Sequence, residues 1–440
     1  MQDTAALKPE LLPPADQFGL PFFDPLHRTL AADLASWTAQ QVVDEQDDRR
    51  ACRDWVQRLG SAGWLRYCVP ASAGGALDKL DSRALVVLRE TLAFYSPLAD
   101  FALAMQGLGS GAITLAGTPA QQAAYLPDVA SGRKIAAFAL SEAEAGSDAG
   151  ALRTTALRDA SGWTLQGSKT WISNGDMADF YVTFANTTPG AGTRGMTAFI
   201  VDAPRAGLDS SEHIALMAPH PLASLQFTDC ALSADAQLGP LDGGFKLAMQ
   251  TLDIFRASVA AAALGMARRA LAEAVAHAQG RQMFGQRLAD FQLTQAKLGE
   301  MAALIDAAAL LTYRAAWMRD AHESGATTDS SGNAGRQARS VAAAMAKMCA
   351  TENAQRVIDM ALQMHGGLGV KVGTKVESLY RDIRSLRIYE GATEVQQLII
   401  GKALLKPGPL RLQRPLWPLP QPKPTALCMS DCPALTSGRS

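Results

Sequence analysis

The segment Ala137-Phe-Ala-Leu-Ser-Glu-Ala-Glu-Ala-Gly-Ser-Asp148 is where the hydrophobic period of the chain changes. Upstream the apolar residues recur at helical spacing. Here a strand-like run, residues 138–140, ends in a hydroxyl and a carboxylate, and a Gly-Ser-Asp turn follows. Backbone N–H groups exposed in such a turn suit phosphates or the polar edge of a ring. Downstream, short apolar or alternating runs at 163–167, 180–184, 196–201 and 225–227 are bounded by Gly, Asp, Asn, Pro or Ser. That pattern predicts the strands of a compact β domain. Asp159-Ala-Ser-Gly162, between 154–157 and 163–166, predicts a hairpin turn.

On either side the pattern is helical. Residues 1–24 are polar and broken by Pro9, Pro13, Pro14 and Pro21, and read as a loose arm. Over 25–136, Leu30, Leu34, Trp37 and Val42 mark one apolar face and Trp55, Leu59 and Leu65 another. Gly74, Gly75, Gly107, Gly109 and Gly111 mark turns or close helix contacts. A short helix begins at Ala120, with Pro119 in its first turn and Pro127 as its stop. After the β domain, 137–240, the helical period returns at Gly243. Helices are predicted within 260–276 (alanine- and leucine-rich), 291–320, 337–364 and 395–405, with an exposed polar loop at 324–333. Amphipathic helices in that order predict a bundle over 241–405. Residues 406–440 carry seven prolines up to Pro424 and read as an extended or disordered tail. The fold class is therefore α+β, mostly α: an N-terminal helical domain, a middle β-barrel or sandwich, and a C-terminal four-helix bundle.

Composition narrows the function. A net charge of −1 offers no basic field for nucleic acid or an anionic membrane. No uninterrupted apolar stretch reaches about 18 residues free of polar groups, so no membrane span is expected. The start of the chain lacks a signal or transit pattern. Cys52, Cys68, Cys230 and Cys349 have no metal-ligand spacing, and Cys428 and Cys432 sit in the tail. No metal site is expected, and the protein is expected to be cytoplasmic.

Two further segments carry chemistry. Gly167-Ser-Lys-Thr-Trp-Ile-Ser-Asn-Gly175 places Trp171 and Ser173 at a strand end before an Asn-Gly turn. An indole face beside hydroxyls suits a planar heteroaromatic cofactor. Arg384-Ser-Leu-Arg-Ile-Tyr-Glu-Gly-Ala-Thr-Glu-Val-Gln396 holds one carboxylate, Glu390, between Tyr389 and Gly391. Gly391, without a Cβ, allows close backbone approach. A carboxylate partly removed from water there has a raised pKa and is a stronger base than a free glutamate.

Taken with the helix–strand–helix order, these motifs resemble the acyl-CoA dehydrogenase family of FAD flavoproteins over about residues 25–405. Motifs matching in order are Leu59-Gly-Ser-Ala-Gly63 with Val69-Pro70 and Gly74-Gly75, the 138–148 segment, and Lys169-Thr-Trp-Ile-Ser-Asn-Gly175. They continue with Gly280-Arg-Gln-Met-Phe-Gly285 with Phe291-Gln292, and Gln363-Met-His-Gly-Gly-Leu-Gly369 leading to Tyr380-Arg-Asp382 and Tyr389-Glu-Gly391. The resemblance implies that Phe138, Leu140 and Ser141 contact the isoalloxazine, that Trp171 packs on it, and that Ser173 reaches toward N5. Ser147 lies near the thioester tail. Arg281, Phe284, Gln292, Gln363 and Gly367 hold the FAD bound mainly by another subunit, so a homo-oligomer, commonly a tetramer, is implied. Glu390 becomes the base that removes the α-proton of an acyl-CoA while flavin N5 takes the β-hydride, giving the trans-2-enoyl thioester. Tyr389 and Gly391 flank it at the substrate, and Asp253 and Arg256 match a recurrent pair that serves CoA or packing. Electrons pass to an electron-transfer flavoprotein.

Some relatives carry the base just before an arginine equivalent to Arg256, but that position is Phe255 here. Two residues depart from the family pattern: Ala143 replaces a proline, and Ala392 replaces a threonine whose hydroxyl helps hold FAD, a role open to Thr393 and Glu394. Same-fold alternatives are a flavin oxidase or monooxygenase, which often lacks the glutamate, and an acyl-carrier-protein-linked dehydrogenase. No Lys or Arg lies between Arg89 and Arg133, so an uncharged acyl group is expected.

Overall fold

The computed structural model describes residue 11, residues 13–323 and residues 333–406. Most of the polar interruption at 324–333, the tail beyond Lys406 with Cys428 and Cys432, and the start of the arm lie outside these residues.

Helices α1 (Pro25–Thr38), α2 (Asp48–Ser61), α3 (Ser82–Tyr95), α4 (Pro97–Ala116) and α5 (Pro119–Ala130) form the first part of the chain. Their starts follow the local chemistry. Asp81 caps α3 by accepting from the Ala84 N–H at 2.7 Å, and Ser96 caps α4 by accepting from Ala99 at 3.0 Å, with Pro97 in first position. Thr118 and Gln121 close a reciprocal capping box on α5. Pro127 does not stop that helix, contrary to expectation. It lies inside α5, where burial of Leu126 and Val129 offsets its missing hydrogen bond. Val42 is also not part of the α1 face, because the helix ends at Thr38 and the side chain is 64% exposed. The arm, read as loose, is anchored over its described part. Phe18, Phe22 and Phe23 are buried, and Phe23 meets Tyr313 edge-on with centroids 4.9 Å apart.

The strands are β1 (Ala136–Ala139), β2 (Thr155–Arg158), β3 (Gly162–Ser173), β4 (Phe180–Asn186), β5 (Met196–Asp202), β6 (Leu208–Asp209), β7 (His213–Ile214), β8 (Leu222–Ser233) and β9 (Gln237–Leu238). They form one hydrogen-bonded sheet in the order β6-β8-β3-β2-β4-β5-β9, with β1 parallel to β4 and β7 against β8. The predicted hairpin is present as the antiparallel β2–β3 pair, Thr155 facing Gln166. The β3–β8 ladder shifts register between Lys169 and Ile172. That irregularity holds Trp171 at φ +60° and turns its indole outward.

The last part contains α6 (Gly244–Gly280), a two-strand hairpin of β10 (Gln282–Met283) and β11 (Gln286–Arg287), α7 (Gln292–Glu323), α8 (Asn333–His365), α9 (Lys375–Leu386) and α10 (Thr393–Leu404). Helices α6, α7 and α8 pack on one another, with α9 and α10 against α8. The expected helix over 395–405 is present as α10, and α9 precedes it as an additional helix that the sequence reading did not separate; the turn between α9 and α10 contains Glu390. Two glycines of α4 let the parts approach. A Cβ on Gly107 would lie 2.7 Å from the Phe255 ring of α6, and one on Gly109 would lie 2.7 Å from Ala136 of β1. Helices α4 and α6 are long and apolar enough to cross a membrane, which the sequence criterion did not reveal. Their most apolar windows are 89% and 78% buried inside the protein, so those faces serve the core.

Candidate active site

The turn between α9 and α10 is built by its backbone. Glu390 has φ +52° and Gly391 φ +95°, consecutive residues in the left-handed region. A residue with a side chain adopts that region at a cost of about 1–2 kcal/mol, so the surroundings must enforce it. They do so at the next carbonyl. The Gly391 oxygen accepts from Lys347 Nζ of α8 and from Gln396 Nε2 of α10, each at 2.8 Å. Glu352 of α8 ties the rest of the turn down, accepting from Arg387 Nε at 2.8 Å and from the Thr393 hydroxyl at 2.6 Å. The proton of Thr393 is thus engaged internally, while Glu394 is exposed. This bears on the expectation that either residue replaces the missing cofactor contact of Ala392.

Although Glu390 as a residue is half-exposed, both its carboxylate oxygens are buried and have no hydrogen-bond partner among the described residues. Burial raises its pKa above the ordinary carboxylate range, and Asp100 adds to this; Arg89, Lys347 and Arg256 oppose it. Each cation is already engaged. Arg89, buried in α3, forms a two-pronged pair with Asp100 of α4 at 2.7 and 2.9 Å and donates to Ser258 of α6 at 3.0 Å. Arg256 pairs with Asp253 one helical turn away on α6. Tyr389 is buried at its hydroxyl end beside Arg89, and burial raises its pKa. The result is a desolvated carboxylate beside two ion-paired arginines and one lysine, free to accept a proton from something placed beside it.

A second group gathers where β1 and β3 meet. The Thr170 N–H donates to the Ser141 carbonyl at 3.0 Å, and buried Lys169 bridges the Leu140 carbonyl at 3.1 Å to Glu142 at 2.7 Å. These bonds hold Phe138, Leu140 and Ser141 next to the strand bearing Trp171 and Ser173. Trp171 is 56% exposed on its bulge, whereas Leu140 is buried and Phe138, Ser141 and Ser173 are half-buried. An outward indole beside such hydroxyls fits a planar ring. Ser147 is exposed in the connection after β1.

A third group stands apart. Arg281, Gln363 and Gly367 line a cleft of about 430 Å³ together with His277, Lys297 and His365. A Cβ added at Gly366 or Gly367 would meet only open space, so the cleft has room for a ligand there. Its cations and open glycine backbone fit a diphosphate. Phe284 and Gln292 are exposed on the adjoining hairpin and helix start, outside the lining. No residue of the Trp171 group lines this cleft. Among the described residues, no cluster of His, Cys, Asp and Glu could hold a metal ion.

Sequence reasoning did not find Arg89, Asp100, Lys347 and Gln396 around the Glu390 turn, nor Ser258 as a partner of Arg89. A signal existed for two of them: Arg89 ends the apolar run Leu85-Val-Val-Leu88, and Lys347 ends Ala342-Ala-Ala-Met-Ala346. A charge inside such a run is buried and must be paired.

Family sequence models for the acyl-CoA dehydrogenase N-terminal, middle and C-terminal domains match residues 25–133, 137–230 and 242–405. A 3-(aryl)acrylate reductase of Clostridium sporogenes is 37% identical over 88% of this chain and 100% of its own. The caffeyl-CoA reductase–Etf complex subunit CarC of Acetobacterium woodii is 35% identical over 86% and 97%. The human mitochondrial short-chain specific acyl-CoA dehydrogenase is 37% identical over 80% and 82%. Among solved structures, butyryl-CoA dehydrogenase from Megasphaera elsdenii superposes with a TM-score of 0.80 at 32% identity, covering 87% of this chain and 99% of that one. An acyl-CoA dehydrogenase from Bacillus anthracis complexed with FAD gives 0.80 at 29% identity, covering 90% and 70%.

Proposed function

Since the chain belongs to the acyl-CoA dehydrogenase family of FAD-dependent oxidoreductases, we propose that it desaturates an acyl-CoA thioester between the α and β carbons, with Glu390 as the base. The observation that carries this reading is the Glu390 carboxylate, buried, unbonded and fixed on an enforced turn. The α-hydrogen of a thioester is weakly acidic, and a base stripped of water and of competing donors is suited to remove it. Bound FAD would supply the two-electron acceptor for the β-hydrogen; with the α-proton passing to Glu390, two C–H bonds would break and one C=C π bond would form. The chain's own residues hold and shape the site: Trp171 offers a ring face, Arg281 and Gln363 a polar cleft, and the Lys347–Gln396 clamp a fixed base. Anaerobic mixing with a panel of acyl-CoAs tests the proposal through loss of oxidised-flavin absorbance; no bleaching with any straight, branched or aryl acyl-CoA would overturn it.

A second reading has a specific motive, since two relatives are named reductases. A protonated Glu390, favoured by its raised pKa, would deliver the α-proton in reduction of an enoyl-CoA. Oxidation of the dithionite-reduced enzyme by enoyl-CoAs, compared with its reduction by acyl-CoAs, ranks the two directions.

The acyl group is proposed to be uncharged. Of the cations bearing on Glu390, Arg89 and Arg256 are paired with Asp100 and Asp253, and Lys347 acts on Glu390 itself, leaving none to offset a second desolvated carboxylate. Turnover of glutaryl-CoA is expected to be slower than that of the best unsubstituted acyl-CoA, and the opposite order would overturn the assignment.

The partner surface is proposed to be a second copy of the chain, assembled into a tetramer, with an electron-transfer flavoprotein as acceptor. Phe284 and Leu293 are 87% and 82% exposed beside the cleft that Arg281 lines, and that cleft lacks the ring-facing residues of its own chain. Phe284→Asp is expected to weaken both assembly and FAD retention, measured by light scattering and flavin content. A wild-type monomer with full FAD occupancy would contradict the shared site. The free thiols of Cys52, Cys68, Cys230 and Cys349 suit the proposed cytoplasmic location.

A further inference from the structure

A carboxylate with no hydrogen bond of its own must be aimed by something else. Among the described residues neither oxygen of Glu390 has a partner, and its backbone lies in the left-handed region, which the residue would not choose alone. The adjacent carbonyl, by contrast, receives two donors from fully buried side chains, Lys347 and Gln396, both at 2.8 Å and from different helices. Among the described residues no other backbone group of the turn receives two side-chain donors.

We propose that Lys347 and Gln396 are positioning residues for Glu390: their clamp on the Gly391 carbonyl holds the turn that aims the carboxylate, and the Lys347 ammonium favours its ionised form. The inference rests on Glu390 being the base. A neutral donor would suffice to bind a carbonyl, so the use of a lysine in a fully buried position calls for a second role. Charges facing the site come from every element around it: Arg89 from α3 with Asp100 from α4, Arg256 and Asp253 from α6, Lys347 and Glu352 from α8, and Glu394 from α10. Arg89 and Arg256 are each paired with a carboxylate, whereas Lys347 binds a neutral carbonyl, so its charge reaches Glu390 least compensated. Burial draws Lys347 down to about 8, which leaves it mostly cationic at neutral pH.

The sign follows. Removing a cation beside a carboxylate raises the carboxylate's pKa, so the base ionises only at higher pH. Lys347→Met is expected to shift the acid limb of the flavin-reduction rate upward by about 1 pH unit or more, and to slow the plateau rate about tenfold or more through misplacement of the base. Lys347→Arg restores the charge and should return the limb toward its wild-type position. Gln396→Leu removes the second donor without changing charge, so it should lower the plateau rate with the limb unmoved. All variants are measured as FAD-loaded full-length protein by anaerobic stopped flow, with Glu390→Gln in parallel. If Glu390→Gln reduces flavin at the wild-type rate, the base assignment fails and takes this inference with it. If Glu390→Gln is inactive while Lys347→Met and Gln396→Leu keep the wild-type rate and limb, the clamp alone is refuted. Should Lys347→Met not retain FAD, Gln396→Leu with a wild-type rate refutes the clamp by itself.

Discussion

Glu390→Gln is expected to remain folded, yellow and able to bind acyl-CoA, and to lose flavin reduction by at least about 10²–10⁴-fold, the usual range for general-base catalysis. The amide is nearly isosteric, and the turn is held through the Gly391 carbonyl rather than through the Glu390 side chain, so the substitution should not loosen it. It also removes a desolvated ionisable group, which gives no reason for lower stability. In the wild type the rate should rise with pH through a value above the ordinary carboxylate range, because only the ionised form takes a proton and burial holds the pKa up. The glutamine variant should lack that limb. Following oxidised-flavin absorbance after anaerobic mixing decides the matter: bleaching near the wild-type rate would show that Glu390 is not the base.

Much of this architecture is legible along the chain because it depends on short-range signals. The switch from helical to alternating period near Phe138 and the Asp159–Gly162 turn both act within a few residues. Misreadings arose where a local rule met a stronger tertiary contact. Pro127 is a helix stop by its own chemistry, but α5 continues over it because Leu126 and Val129 reach the core. The prolines of the arm suggested looseness, whereas burial of Phe18, Phe22 and Phe23 anchors its described part. Helices α4 and α6 pass as membrane-length segments for the same reason: an interior helix is apolar all round.

The site divides along the same line. Glu390, Tyr389 and Gly391 are adjacent in sequence and could be read together, as could Trp171 and Ser173. Their supports could not, because proximity there depends on folding. Lys347 and Arg89 reach Glu390 from α8 and α3, and Ser258 lies 169 residues from Arg89. The absence of Lys and Arg from 90–132 was a correct count, yet Arg89 at its edge points into the region concerned, and only Asp100 makes it electrostatically quiet. A list of charges along the chain does not show which are paired.

That pair supports the second large effect. Arg89→Met should destabilise the protein by about 3–5 kcal/mol, the usual cost of breaking a buried ion pair by removing one partner. Both side chains are almost fully buried, so solvent screening gives little relief. Asp100 would be left with no cation of its own, and burial already holds its pKa above the ordinary range with Arg89 present. In the variant the folded-state pKa rises further, while the unfolded value stays near 3.9. Between those values the folded state binds more protons than the unfolded state, so stability falls as pH rises through the window. The deficit relative to wild type should therefore be smaller at pH 5 than at pH 8, as read from urea denaturation of the FAD-loaded protein. Replacing both residues with apolar ones, Arg89→Met with Asp100→Leu, should recover most of the loss, since the expense lies in the orphaned charge rather than in the missing pair. A single-variant deficit below about 1 kcal/mol, the range of an exposed pair, and equal at both pH values would mean that water reaches Asp100.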